Sequence, residues 1–319
     1  MTKTEEFQEL RPMLFSIAYR ILGSVSEAED AVQETWLRFQ APSVKPDSGR
    51  AFLSTVVTRI SIDVLRSARV RREEYVGPWL PEPLLTDPYE DPARSAELAD
   101  SLSMAALLLL ERLTPLERAV FVLREVFAFG FPEIAAAVGR SEAACHQLAA
   151  RGRRHMDAGR ARFEADGKAR EELAERFFGA FRDGDVDGLT ELLAADVQMI
   201  GDSGGKAPQI KPVVLGAGHV AGVLAAFVPG VIRGGGLVEP RQVNGRPGAV
   251  FRDREGQVLG TWALDVRDGQ VRTIHAVNNP DKLGHVGPVA DAWAALREVN
   301  QAHRSTDRPT THDDAPTTA

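Results

Sequence analysis

The chain contains one cysteine, Cys145, which rules out a disulfide within it and suits a reducing compartment. Its place on the inner stripe of a helical pattern reads as a small buried apolar group, not a redox centre. Long hydrophobic runs are also missing, and Leu107–Leu110 falls far short of the ~20 residues a membrane span needs. No charged-then-apolar secretion segment opens the chain, so a cytoplasmic protein is expected. No set of His, Cys and acidic residues has zinc-ligand spacing, and neither a metal nor a cofactor is expected. Lys206 follows Gly204 and Gly205, but P-loop spacing is absent and no Ser or Thr follows the lysine.

What the chain does have is length and segregated charge. Its 319 residues suffice for two or three domains with substantial cores. The net charge of −7 hides two basic blocks. Arg59–Arg72 carries five arginines against Asp63, and Arg140–Arg162 carries six against Glu142 and Asp157, so each block nets +4. Between them Glu73–Asp100 nets −7, with eight acids and Arg94. Phosphate binding follows local cations rather than the total, so two separate nucleic-acid contacts fit this pattern. Solvated helix faces are the plain alternative for either block alone.

The N-terminal third reads as helices. Leu10–Leu22 is apolar at helical spacing and stops at Gly23. Ser26-Glu27-Ala28-Glu29 has the form of a capping box ahead of Val32, Trp36 and Phe39. Pro42–Gly49 is a polar loop. A longer helix from about Arg50 turns Phe52, Leu53, Val56, Ile60 and Val64 inward and ends in Arg66, Arg69, Arg71 and Arg72. The prolines from Pro78 to Pro92 require an extended linker. Helix resumes near Ser95–Arg112, and Thr114-Pro115-Leu116-Glu117 then joins an N-cap, a first-turn proline and a capping-box glutamate.

Phe131–Arg154 reads as two short helices around a tight turn. Pro132 opens the first, Ile134, Ala135 and Val138 share a face, Gly139 ends it, and Ser141 caps the next. In the second helix Cys145, Leu148, Ala149, Gly152 and Met156 form the inner stripe. His146, Gln147, Arg151 and Arg154 lie opposite, as a recognition helix in a DNA major groove requires.

The character changes after Gly167. Helices are expected at Arg170–Arg182, Val186–Ala194 and Val220–Phe227, and strands at Val197–Ile200, Leu237–Val243, Ala249–Arg252, Gln257–Val266 and Gln270–Val277. Glu255-Gly256 and Asp268-Gly269 mark hairpin turns. Helices followed by an antiparallel sheet make a separate α+β domain. The last ~20 residues, rich in Thr, Asp, His and Pro, are expected to be disordered.

These residues carry a family resemblance. Leu10-Arg11-Pro12, the run from Ala18 to Ser24 and the run from Ala28 to Trp36 resemble the core-polymerase-binding and promoter-melting region of a bacterial sigma factor. Leu113-Thr114-Pro115-Leu116-Glu117-Arg118 through Met156 resembles the sigma domain that reads the minus-35 promoter element. A proline-rich linker stands in place of the intermediate sigma domain, as in extracytoplasmic-function (ECF) sigma factors. Trp79-Leu80-Pro81-Glu82-Pro83-Leu84 and Asn279-Pro280-Asp281-Lys282-Leu283 resemble the sigma-J-like group, which has a fused C-terminal SnoaL-like domain. That group often carries Asp-Gly-Gly-Gly-Lys, and Asp202-Ser203-Gly204-Gly205-Lys206 departs from it at Ser203.

The resemblance implies a multidomain protein: two all-α sigma domains, the second with the helix-turn-helix, and an α+β SnoaL-like or cystatin-like cone. The expected ranges are 1–73 for sigma region 2, 74–94 for the linker, 95–163 for region 4, 168–300 for the cone and 301–319 for the tail. Core RNA polymerase and promoter DNA are the implied partners. Asp30, Gln33 and Glu34 are expected to dock on polymerase, and Arg59, Arg66 and Arg69 to hold phosphates at the minus-10 element. His146, Gln147 and Arg151 are expected to meet base edges, and Arg153 and Arg154 to meet phosphates. Trp79, Leu80, Pro81, Glu82, Pro83 and Leu84 are expected to dock against Asp202, Gly204, Gly205, Lys206, Asn279, Pro280, Asp281, Lys282 and Leu283 as a regulatory contact. The rival reading is a helix-turn-helix regulator with a ligand-binding C-terminal domain. Cones of this type also permit proton-transfer chemistry in an apolar cavity, for which Asp202, Asp265 and His275 are the formal candidates. Lone residues of these types are usually structural, so no enzyme is expected, and a small-ligand pocket is the stronger second use of the cone.

Overall fold

The computed structural model describes residues 2–41, 46–89, 91, 93, 95–159, 167–209, 211–228 and 235–297, without the side chains of 69–73, 95–97, 158, 159, 227 and 228. The expectations for loop residues 42–45, for the Arg69 side chain and for the tail 301–319 lie outside the described residues.

Helix α1 (Lys3–Leu22) opens on a capping box between Thr2 and Glu5 and closes at Gly23, whose φ of 71° is left-handed. That turn brings Ser24 directly into cap position. Helix α2 (Val25–Gln40) therefore starts before the sequence box at Ser26, with Ser24 accepting from the Glu27 N–H. Helix α3 (Gly49–Glu73) packs across both. Helices α4 (Ser95–Leu102) and α5 (Met104–Leu110) divide at Ser103, whose hydroxyl caps α5, where periodicity alone suggests one helix. Helix α6 (Pro115–Phe121) has the expected Thr114–Glu117 capping box and widens into a π turn at Val122–Val126. Helices α7 (Phe131–Val138) and α8 (Glu142–Gly159) follow, joined through Gly139.

One core runs through all of this. Leu14, Ile17, Leu53 and Val57 are continuous with Val120, Leu123, Ile134 and Cys145. At its centre Arg20 of α1 is fully buried, a position tenable only with partners. It pairs with Asp87 at 2.9 Å, and its own carbonyl accepts from Arg118 Nε of α6 at 2.9 Å.

The C-terminal half comprises α9 (Gly167–Asp183), α10 (Val186–Leu192), β1 (Leu193–Asp202), β2 (Val213–Leu215), α11 (Ala217–Val228), β3 (Leu237–Val243), β4 (Arg246–Arg252), β5 (Val258–Arg267) and β6 (Gln270–Val277). The sheet order is β2-β1-β6-β5-β4-β3. The expected antiparallel sheet is in fact mixed, because β1 runs parallel to β6 with Met199 opposite Ile274. The chain between these two strands contains α11 and four more strands, long enough for the crossover a parallel pair needs. Strand β2, with only Val214 buried among its three residues, is too short for an alternating pattern to reveal it.

Alternation gives the sheet two different faces. Met199, Trp262, Leu264 and Ala276 meet Phe177, Phe178 and Phe181 of α9 on one side. Ala263 and Val277 turn the other way, toward Leu80 of the linker, Met104 of α5 and Leu283. The second face is thus covered by the helical half of the chain. Among the described residues no helix is long and apolar enough to cross a membrane.

Candidate functional site

Helix α8 buries Cys145, Leu148, Ala149 and Met156, and Gly152 lets it close on Phe121, whose ring a Cβ would meet at 3.3 Å. The outward side presents Ala143, Gln147, Ala150 and Arg154 in turn, all exposed. His146 is held differently: its ring stacks on Phe131 at 3.6 Å, and the Arg124 guanidinium lies 4.9 Å from the same ring. Two arginines flank the outward side. Arg151 Nε lies 2.9 Å from Glu117 Oε1 of α6, and Arg153 donates to Glu125 at 2.8 Å. Arg154 bonds weakly to its own helix at Ala150 and has no acidic partner among the described residues. The arginines are therefore grouped otherwise than expected: Arg151 and Arg153 are pinned, and Arg154 stands apart.

On α2, Asp30 and Gln33 are exposed, and Glu34 pairs with Arg38 at 2.9 Å. On α3, Arg66 pairs with Asp63 at the surface. Arg59 points at the helix-turn-helix, where its Nε and Nη2 donate to the carbonyls of Ala137 and Ala136 at 3.0 and 2.7 Å. These carbonyls end α7, and a cation there meets unpaired acceptors and the negative end of the helix dipole. A residue expected at phosphates is here a bridge between α3 and α7.

The linker lies between the two halves. Asp202, at the end of β1 and fully buried, accepts from the Leu80 N–H at 2.8 Å, from Lys282 Nζ at 2.6 Å and from the Tyr75 hydroxyl at 2.5 Å. Lys282 also donates to the Leu80 carbonyl at 2.5 Å and sits 4.3 Å from the Trp79 ring and 4.8 Å from the Tyr75 ring. A buried ammonium thus has a carboxylate, a carbonyl and two π-faces. Asn279 donates to Tyr75 at 2.7 Å, and Lys206 pairs with Asp281 at the surface. Burial, then the Asp202 carboxylate, pushes the Tyr75 hydroxyl's pKa well above that of free tyrosine, so it remains a donor.

The opposite edge of the strip reaches the helices. Glu82 accepts from the Ser24 hydroxyl and the Val25 N–H, each at 2.7 Å, and so caps α2 from a distant segment. Its own N–H donates to Gly23 and its carbonyl accepts from Tyr19. His285 meets the Pro83 carbonyl at 2.6 Å.

Three participants escape a reading of the sequence. Asn244 heads the β3–β4 turn at φ 53°, with Gly245 beside it at φ 64°. Its side chain accepts from the Leu84 N–H at 3.1 Å and donates to Tyr19 at 2.7 Å. Asn-Gly between Val243 and Arg246 is a hairpin signal that marks the turn, though nothing in it marks the docking partner. Tyr75 lies outside any motif, and Glu117 stands in a capping box that conceals its second contact.

Among the described residues Asp265 and His275 make no hydrogen bond to Asp202, and neither belongs to the cone's aromatic interior. His275 pairs in register with Ala263 on the linker-facing side of the sheet, and Asp265 is engaged by Arg267 at 2.8 Å. The interior itself is filled by Phe181, Phe251 and Trp262, with ring centres 4.2 to 5.9 Å apart. A cavity of about 350 Å³ lies elsewhere, beside Lys206, Leu259, Asn278 and Asp291. Among the described residues no group of His, Cys and acids could hold a metal ion.

Comparison with known proteins agrees with this architecture. Residues 7–71 match the family model for sigma-70 region 2, and residues 103–156 match that for sigma-70 region 4. The chain is 41% identical over 293 residues to the ECF RNA polymerase sigma factor SigJ of Mycobacterium tuberculosis, spanning 88% of this chain and 93% of the relative. It is 31% identical over 284 residues to the probable ECF RNA polymerase sigma factor SigI of the same species, spanning 86% and 92%. The crystal structure of M. tuberculosis SigJ matches with a TM-score of 0.69 at 35% identity, covering 90% of this chain and 100% of that one. Two sigma regions in this order do not fit a free-standing helix-turn-helix regulator. The chain belongs to the ECF sigma factors of RNA polymerase, which direct promoter-specific initiation of transcription.

Proposed function

We propose that this sigma factor is held closed by its own C-terminal domain, with the linker strip as the clamp. The carrying observation is that one strip is gripped from both sides: Asp202 and Lys282 hold Leu80, while Glu82 caps α2. With the strip seated, α3 rests against α7 and Arg59 is engaged by helix carbonyls. Engaging two separate promoter elements at once requires the two helical domains, which here share a core, to move apart, so on this reading the α3–α7 seam opens before both elements are engaged.

In the open form Asp30, Gln33 and Glu34 face core polymerase, Arg59, Arg66 and Arg69 take single-strand phosphates, and α8 enters the major groove. The protein works where polymerase and promoter are, in the cytoplasm. The C-terminal domain acts as a scaffold rather than an enzyme, since Asp202 is committed to an ion pair and the interior is packed with aromatic rings. The cavity beside Lys206 offers a small ligand a place next to the contacts it would disturb.

Run-off transcription with core polymerase tests the clamp. Lys282→Met leaves the Asp202 carboxylate buried without its cation, at a cost of about 3–5 kcal/mol to the seated strip. Initiation at limiting promoter is expected to rise several-fold. Unchanged or weaker initiation by a variant that keeps its circular dichroism spectrum would contradict the proposal.

A further inference from the structure

The two acid-pinned arginines beside the outward side of α8 differ in what they leave available. Arg153 turns both Nε and Nη2 toward one oxygen of Glu125, each at 2.8 Å. Arg151 turns its Nε toward Glu117 Oε1 at 2.9 Å, and among the described residues no hydrogen bond engages its two terminal nitrogens. Those nitrogens form the fork that matches guanine O6 and N7. Glu117 is itself immobile. Its other oxygen accepts from the Thr114 N–H at 3.1 Å and from the Thr114 hydroxyl at 2.8 Å, and the side chain is only 8% exposed. A long arginine loses much rotamer freedom on binding, and an acid that fixes it beforehand removes part of that cost.

We propose that Glu117 is a positioning residue for promoter recognition, holding Arg151 so that its terminal fork reads one guanine of the upstream element. Glu117 touches no base; it acts through Arg151. The inference rests on α8 lying in the major groove, and the experiment separates the two claims.

Holoenzyme assembled from the full chain and core polymerase is offered a promoter library with the upstream element randomised. Glu117→Gln keeps an acceptor for the Thr114 cap, which glutamine also serves, but takes the carboxylate from Arg151. The expected result is a loss of about tenfold in discrimination at a single guanine position, with other positions and the melting temperature little changed. Arg151→Ala loses the same position, and the double variant is no worse than Arg151→Ala, as coupled residues require. Arg151→Lys, a surface change that keeps charge but lacks the fork, also loses that position and retains binding to non-specific duplex. If Glu117→Gln leaves the sequence profile unchanged while Arg151→Ala alters it, the positioning role is wrong. A uniform loss across all sequences makes Arg151 a phosphate contact and overturns the guanine assignment. If Arg151→Ala alters nothing, the placement of α8 in the groove fails as well.

Discussion

His275 shows what burial does to a single side chain. It lies on the linker-facing side of the sheet, 4% exposed, and burial pushes its pKa down to about 4 against a weaker upward pull from Asp265. The fold holds the neutral imidazole. An unfolded chain takes up that proton near 6.5, the folded one only near 4, so stability is intact near neutrality and falls as pH drops through this window. The full effect is about 3 kcal/mol. Urea melts at about pH 7 and about pH 5 check this: His275→Gln should flatten the pH dependence, and an unchanged slope would contradict it. Individual residues were unevenly legible in the sequence. Asp202 and Lys282 stand in recognisable motifs, whereas Tyr75 and Asn244 acquire partners only once distant segments dock. Arg151 was legible as a cation on the outer helix face, but its pairing with Glu117 depends on how α6 crosses α8.

At the scale of elements, local chemistry and long-range docking separate cleanly. Caps and glycines foretold α6, α7 and the start of α8 because those signals act within a few residues. The split of α4 from α5 rests on a local cap at Ser103 that apolar periodicity masks, whereas the parallel pairing of β1 with β6 is decided by packing between distant parts of the chain. The β3–β4 hairpin joins both kinds of information. Its Asn-Gly turn is local, yet its tip is a docking element that carries Leu84 and Tyr19. Asn244→Ala strains a left-handed residue by about 1–2 kcal/mol. It also strips partners from buried groups, at about 1–3 kcal/mol each. Asn244→Gly avoids the strain and loses the same bonds. Both variants should speed amide exchange at Leu84, with alanine the faster; exchange as slow as in the parent protein would remove Asn244 from the clamp.

At the scale of the whole molecule, the sequence suggested separate helical units on either side of a linker. The structure joins them through one core, with the linker as a filled layer between helices and sheet. The strip serves both sides: Leu80 packs toward the sheet, Leu84 packs into the helical core, and Pro81 and Pro83 between them are buried. Proline leaves few backbone donors to satisfy in such a layer, and the remaining ones at Leu80, Glu82 and Leu84 are all paired. On the proposed clamp, opening requires something that competes for those partners.

The α3-to-α8 distance tests this most directly. Spin labels on Asp63→Cys, a 72% exposed site on α3, and Asp157→Cys, an exposed site on α8, report it while the native Cys145 stays buried. The full chain alone should give one short distance, and both the polymerase–promoter complex and the Lys282→Met variant alone should give a longer one. The same short distance in all three would contradict a clamp that must open.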